Sequence, residues 1–141
     1  MLGASACLVG LNTRFDGGNK LDSTVHRLFV EGEIIPFCPE QLGGLSTPRL
    51  RAEIEQGSGE DVLDGKSAVL LEDGTDVTVQ FLRGASEVLK AVKELGIKRI
   101  YMKTKSPSCG VGRIYLSGKL QKGNGVCAAL LLREGIELIA V

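Results

Sequence analysis

Ile34-Ile35-Pro36-Phe37-Cys38-Pro39-Glu40-Gln41-Leu42-Gly43-Gly44-Leu45 is the stretch on which the reading of the fold turns. An apolar run leads straight into a thiol and a carboxylate two residues apart, with a second proline between them and a paired glycine behind. An apolar run that ends in a turn crowded with reactive side chains is how a strand delivers chemistry to a loop.

Working upstream, Ser5-Ala6-Cys7-Leu8-Val9 reads as a first short strand ending at Gly10, followed by the loop 11–20 with Arg14-Phe15-Asp16-Gly17-Gly18 inside it. A helix is expected from Asp22 or Ser23, either of which can cap it, with Val25, Leu28 and Phe29 on one face and Gly32 as its stop. Downstream, a short helix is expected over 51–56, then an exposed, mobile glycine-rich and charged segment over 57–61. Val62-Leu63, the turn Asp64-Gly65-Lys66 and the run 68–71 read as a β-hairpin. The clearest helix spans 76–95, where Val77, Phe81, Ala85, Val88, Val92 and Leu95 form one stripe and Gly96 supplies the stop. Gly84 within it costs about 1 kcal/mol relative to Ala, which implies close packing there. Residues 97–102 form the next strand and 114–116 a short one. Asn124 can cap a last, buried helix over 126–132, and 136–141 is a closing strand. Strands alternating with helices predict an α/β fold, a single three-layer Rossmann-like domain with a mostly parallel sheet and a small β-hairpin insertion.

Composition narrows the function. Lys+Arg 17 against Asp+Glu 17 gives a net charge of +0, and aromatics are 4% with no Trp. Neither a basic excess for a phosphate backbone nor a base-stacking platform is present, so no stable nucleic-acid binding is expected. The apolar runs are far too short for a membrane span, and the start lacks the pattern of a signal peptide, so a cytoplasmic protein is expected. Oligomeric state has no signature in the sequence. In such a compartment four cysteines point to metal ligands, catalytic thiols or core packing and not to a disulfide framework.

Cys7, Cys38 and Cys109 each lie at or just past the end of an expected strand. In a parallel sheet those ends share one edge, which is where ligands bind, so the three thiols are expected to converge. Buried core thiols are the ordinary alternative. Cys38 and Cys109 oppose it, since they sit among prolines, glycines and hydroxyls. Cys127, inside the apolar last helix, reads as core. Structural zinc normally takes four ligands from paired Cys-x-x-Cys knuckles, which are absent, and His26 is the only histidine, a surface or boundary residue of the first helix. Three thiolates suit a [4Fe-4S] cluster better, holding three irons and leaving one iron not bound by protein as a Lewis acid. A zinc or thiol enzyme, and a non-catalytic iron–sulfur or sulfur-carrier module, remain as alternatives.

Ser5-Ala6-Cys7-Leu8-Val9-Gly10, Arg14-Phe15-Asp16-Gly17-Gly18, the run from Cys38 to Arg49, Gly74-Thr75-Asp76-Val77-Thr78 and Lys105-Ser106-Pro107-Ser108-Cys109-Gly110 together resemble a bacterial family whose characterised members are thiouracil desulfidases. The resemblance runs over nearly the whole chain, in the same order. It implies a cubane cluster on Cys7, Cys38 and Cys109, with Glu40 and Ser106 as catalytic residues. The family more often has Thr in place of Cys127, which agrees with a packing role. The implied reaction takes sulfur as hydrosulfide from a small thiolated nucleobase or nucleotide and replaces it with oxygen. Glu40 is then a general base, or in its ordinary role a loop carboxylate. Ser106 is a hydrogen-bond donor to the reacting heteroatom, or a turn hydroxyl, with Ser108 as the close alternative on the substrate. Arg14 and Asp16 either hold substrate or pair with each other within the loop. Lys98, Arg99, Lys103 and Lys105 form a basic run that can receive a phosphate or face solvent.

Overall fold

The computed structural model describes residues 1–141. In chain order it contains β1 (Leu2–Ser5), a 3-10 turn (Ala6–Val9), α1 (Ser23–Val30), β2 (Ile34–Phe37), α2 (Pro39–Leu42), β3 (Ala52–Ile54), α3 (Gly59–Leu63), β4 (Val69–Leu71), α4 (Thr78–Leu95), β5 (Arg99–Met102), β6 (Arg113–Leu116), β7 (Lys119–Lys122), α5 (Val126–Arg133) and β8 (Glu137–Ala140). The central sheet is parallel with strand order β2-β1-β5-β8. Two antiparallel two-stranded sheets stand apart from it, β3-β4 and the hairpin β6-β7.

Alternation along the strands sends side chains to two cores. Ala4 and Ile34 join Val25 of α1 on one face, while Phe37, Ile100 and Met102 join Phe81, Val88 and Val92 of α4 and Leu131 of α5 on the other. The expected three layers follow from that split. Asp22 makes the cap of α1, its Oδ1 accepting from the N–H groups of Thr24 (3.1 Å) and Val25 (3.0 Å). Gly96, in the left-handed region at φ 66°, ends α4.

Five local expectations change. The first strand lies earlier: Leu2–Ser5 pair with their neighbours, and Ala6–Val9 coil into a buried 3-10 turn. An apolar run satisfies either conformation once it is buried on all sides. The helix expected over 51–56 is instead β3, paired with β4 from Ala52↔Leu71 to Ile54↔Val69. The segment 57–61, expected to be mobile, opens α3, where the Asp61 carboxylate accepts from the Ser58 N–H at 2.9 Å. Val62 and Leu63 therefore lie in a helix, and the hairpin partner of residues 69–71 comes from before it. Asn124 does not cap α5. Gly125 holds that position, and the Asn124 side chain accepts from Gly112 N–H (2.8 Å) and donates to Glu60 (3.0 Å). No helix is long and apolar enough to cross a membrane.

Gly84 explains how the short helix α2 is held. A Cβ at Gly84 would overlap the Pro39 carbonyl and lie 3.2 Å from Gly43 N, and one at Gly43 would overlap the Gln80 carbonyl. Two glycines thus let the backbones of α2 and α4 touch, and this fixes the helix that carries Glu40. Gly84→Ala gains helix propensity of about 1 kcal/mol, but overpacking of this kind costs about 1–3 kcal/mol and sometimes more. The expected net result is a lower urea midpoint for G84A; a variant as stable as the wild type would show that α2 is free to shift.

Candidate active site at the carboxyl edge of the sheet

The segments that follow β1, β2 and β5 leave the sheet at the same edge, where strand order reverses beside β1. This is the position at which open parallel sheets bind ligands. Together they enclose a cavity of about 320 Å³. Cys7, in the 3-10 turn after β1, Cys38, at the end of β2, and Cys109, in the segment after β5, all line it, although they are far apart in the chain. All four cysteines are free thiols. Cys127 does not line the cavity: it is completely buried in the core against α4 and the sheet.

Burial pushes the thiols of Cys7, Cys38 and Cys109 up from the ordinary thiol value. At Cys7 the Lys103 ammonium opposes that rise and the Cys38 thiol adds to it. At Cys38 the Gln41 N–H opposes it, Glu40 adds to it and Arg49 opposes it. At Cys109 burial is followed by the neighbouring Cys127. An electrophilic guest that accepts thiolates would displace these protons on binding.

Glu40, in the first turn of α2, lines the same cavity. Its Oε2 accepts from Arg49 Nε at 2.7 Å and is paired with Arg49 Nη2. Oε1 has no protein partner. The Ser106 Oγ accepts from the N–H groups of Ser108 and Cys109, both at 3.0 Å, so its lone pairs are engaged and its proton is free to donate. Ser108 is arranged differently. Its hydroxyl is buried and has no hydrogen-bond partner, while its carbonyl accepts from the Ala128 N–H at 3.1 Å.

Arg14 lines the cavity and Asp16 does not. The Asp16 carboxylate accepts from the Gly18 N–H at 2.9 Å and stands 3.8 Å from Arg14 Nη1, the geometry of a loop pair. The guanidinium groups of Arg14 and Arg51 lie over the Phe15 ring at 5.5 and 4.9 Å from its centroid. The basic run of the sequence is split by β5. Lys103 and Lys105 line the cavity, whereas Lys98 and Arg99 are at the opposite end of the strand, where Arg99 pairs with Glu137 at 2.8 Å. Burial, followed by the nearby cations Arg14, Lys20 and Lys105, pushes the Lys103 ammonium down, with Cys7 acting the other way.

The donor set fits an iron–sulfur cluster. No group of three or more His, Cys, Asp or Glu side chains is drawn closely enough together to hold a single metal ion. Three thiols distributed around a cavity suit a larger guest with several metal atoms. The orphaned Ser108 hydroxyl beside Cys109 is a buried donor whose isolation costs about 1–3 kcal/mol, and sulfide or thiolate is an acceptor of the kind it lacks.

Arg49 and Lys20 line the site without having been singled out from the sequence. For Arg49 the only sequence signal was its place at the end of the Cys38 block; its pairing with Glu40 depends on how the intervening loop returns.

The chain matches the 2-thiouracil desulfurase family over residues 2–141. It is 41% identical to the protein YbbK of Bacillus subtilis (strain 168), itself uncharacterised, over 143 aligned residues that cover 99% of this chain and 95% of that protein. Its fold is similar to the solved structure of the [4Fe-4S]-dependent thiouracil desulfidase TudS, with a TM-score of 0.86 and 40% identity, covering 99% of this chain and 89% of that one.

Burial pushes the Cys127 thiol up to about 12 from an ordinary 9.0. In cluster-free protein the folded state keeps this proton after the unfolded chain has released it. The associated stability is complete below the unfolded thiol's pKa and is lost as pH rises through the folded one. From about pH 9 towards about pH 12 the urea midpoint of reduced, cluster-free protein is expected to fall; the raised thiols of Cys7, Cys38 and Cys109 act in the same direction, so Cys127→Ala should lessen that fall without abolishing it. An equal slope in both proteins would refute the assignment to Cys127.

Proposed function

The chain belongs to the 2-thiouracil desulfurase family, and we propose that it removes sulfur as hydrosulfide from a thiolated pyrimidine and leaves oxygen in its place. The observation that carries this reading is the convergence of three free thiols, the unpartnered Oε1 of Glu40 and the free proton of Ser106 on one cavity. At about 320 Å³ the cavity is at the small end of the range for ligand sites, about 300–1,000 Å³, and since the cluster would take part of that space it favours a small substrate.

Cys7, Cys38 and Cys109 would hold a [4Fe-4S] cluster through three irons, leaving the fourth iron without a protein ligand. Such a cluster, when bound, supplies a Lewis acid with affinity for a soft thiocarbonyl sulfur, and no net electron transfer is required. The remaining work falls to the protein. Oε1 of Glu40 takes a proton from a water molecule as its oxygen adds to the thiocarbonyl carbon. The Ser106 hydroxyl donates to the heteroatom on which negative charge collects, its own oxygen held by two backbone N–H groups. The carbon–oxygen double bond is completed as the carbon–sulfur bond breaks. The second water proton leaves with sulfur as hydrosulfide, and Glu40 returns the first to solvent. Both water protons and the oxygen are thereby accounted for.

Lys103 and Lys105, with Arg14 and Lys20, give the cavity a positive lining. The mutual repulsion of these cations is relieved by an anion, so the phosphate of a thiouridine nucleotide would dock there. Lys98 and Arg99 are too far along β5 to take part.

The test is anaerobic iron and sulfide analysis with a visible spectrum, followed by hydrosulfide release from thiouracil and from thiouridine monophosphate. Ala at Cys7, Cys38 or Cys109 should each abolish the chromophore, and Cys127→Ala should retain it. Glu40→Gln should keep the cluster and lose about 10²–10⁴-fold in turnover. A wild type that takes up no iron and sulfide on reconstitution would sink the reading, whereas a loaded protein that releases no hydrosulfide would make it a cluster or sulfur carrier.

A further inference from the structure

We propose that Arg49 is the positioning residue for Glu40, a clamp that fixes one carboxylate oxygen and thereby presents the other to the reacting water. The inference rests on the desulfidase reading above and adds a residue to it. Arg49 is almost sealed from solvent, with 8% of its side chain exposed, although it lines the cavity. A guanidinium has five N–H donors in a planar fork. Here four of them donate to protein acceptors, and the guanidinium is also ion-paired with Glu40 through Nη2. Nε and Nη2 both address Glu40 Oε2, and Nη2 also donates to the Thr13 carbonyl at 2.9 Å. Nη1 donates to the Ser46 carbonyl at 3.2 Å and to Thr47 Oγ1 at 2.9 Å.

Every nitrogen of the Arg49 guanidinium is engaged by the protein, which separates this residue from the other cations of the cavity. It is held at both ends, because its own backbone N–H donates to the Phe15 carbonyl at 2.8 Å. Thr47 Oγ1 in turn accepts from Gln41 Nε2 at 2.7 Å, which returns the network to α2. One side chain therefore ties the loop after β1, the loop after α2 and the carboxylate of α2 together. The Thr13 carbonyl that it uses also lies 3.8 Å from the Cys38 Sγ. Because both contacts fall on Oε2, rotation of the carboxylate is blocked and Oε1 has one orientation. Lysine keeps the charge but has no planar fork and only three donors, so it cannot hold all of these acceptors.

The experiment uses the cluster-loaded protein with Arg49→Lys, Glu40→Gln and the double variant. For R49K we expect kcat to fall about tenfold to hundredfold, as misplacement of a reacting group does, with KM changed by less than about twofold and iron and sulfide per chain unchanged. In the Glu40→Gln background the same change should cause no further loss, because there is no base left to position. A raised KM at constant kcat would instead make Arg49 a substrate ligand, and losses that multiply would remove its action through Glu40; either result overturns the proposal. The same variants are also to be unfolded in urea. A coupling of about tenfold or more in the unfolding equilibrium between positions 40 and 49 supports the clamp, and independent effects refute it. If the loaded wild type releases no hydrosulfide, the desulfidase reading fails, while the urea cycle still decides whether the clamp exists.

Discussion

Hydrogen bonding of β1 to both β2 and β5 is the constraint on which the rest depends. A strand with parallel neighbours on both sides forces all three chains to leave the sheet in the same direction. The segments carrying Cys7, Cys38 and Cys109 must then share one edge, whatever their separation in sequence. The opposite edge receives the chain returning from helices and carries ordinary surface pairs such as Arg99–Glu137. The two ends of one four-residue strand thereby acquire different electrostatic surroundings.

Around that edge, precision comes from backbone contacts more than from large side chains. Gly43 and Gly84 allow α2 and α4 to approach until carbonyls meet the space where a Cβ would be. The Ser106 hydroxyl is oriented by N–H groups two and three residues ahead, a local turn device. Arg49 spans three segments and engages a protein acceptor with each of its three guanidinium nitrogens. These groups would be expensive to bury singly, and each is tolerated because its partners come with it.

Much of the architecture is visible in the residues themselves. The stripe from Val77 to Val92 announces α4, Asp22 announces the start of α1, and the passage from Ile34 to Cys38 announces a strand opening into a loop. Residues 51–71 resisted the same reading for a physical reason. β3 and β4 have three residues each, too few to display an alternation, and their pairing is a contact across an intervening helix. The α3 helix has five residues and depends on tertiary support, with the Gly59 N–H donating to the Asn124 carbonyl at 2.7 Å. At the site, the thiols were legible because each lies at or just past the end of an expected strand. The partnership of Glu40 with Arg49 was not, because the eight residues between them, the end of α2 and then an irregular loop, carry no period.

By itself the sequence determined which residues are apolar at helical or strand spacing, and hence a parallel α/β layering with cysteines beyond the strand ends. It also determined the chemical types available: soft thiol donors, a carboxylate and hydroxyls. Tertiary structure decided which of these meet. It put Arg14 on the cavity and Asp16 outside it, separated Lys103 and Lys105 from Lys98 and Arg99, turned Ser106 into a free donor and enclosed Ser108, and gave Glu40 its guanidinium. Periodicity is a property of neighbouring residues and can be read along the chain, whereas the direction of a side chain in a loop is set by the distant backbone that packs against it.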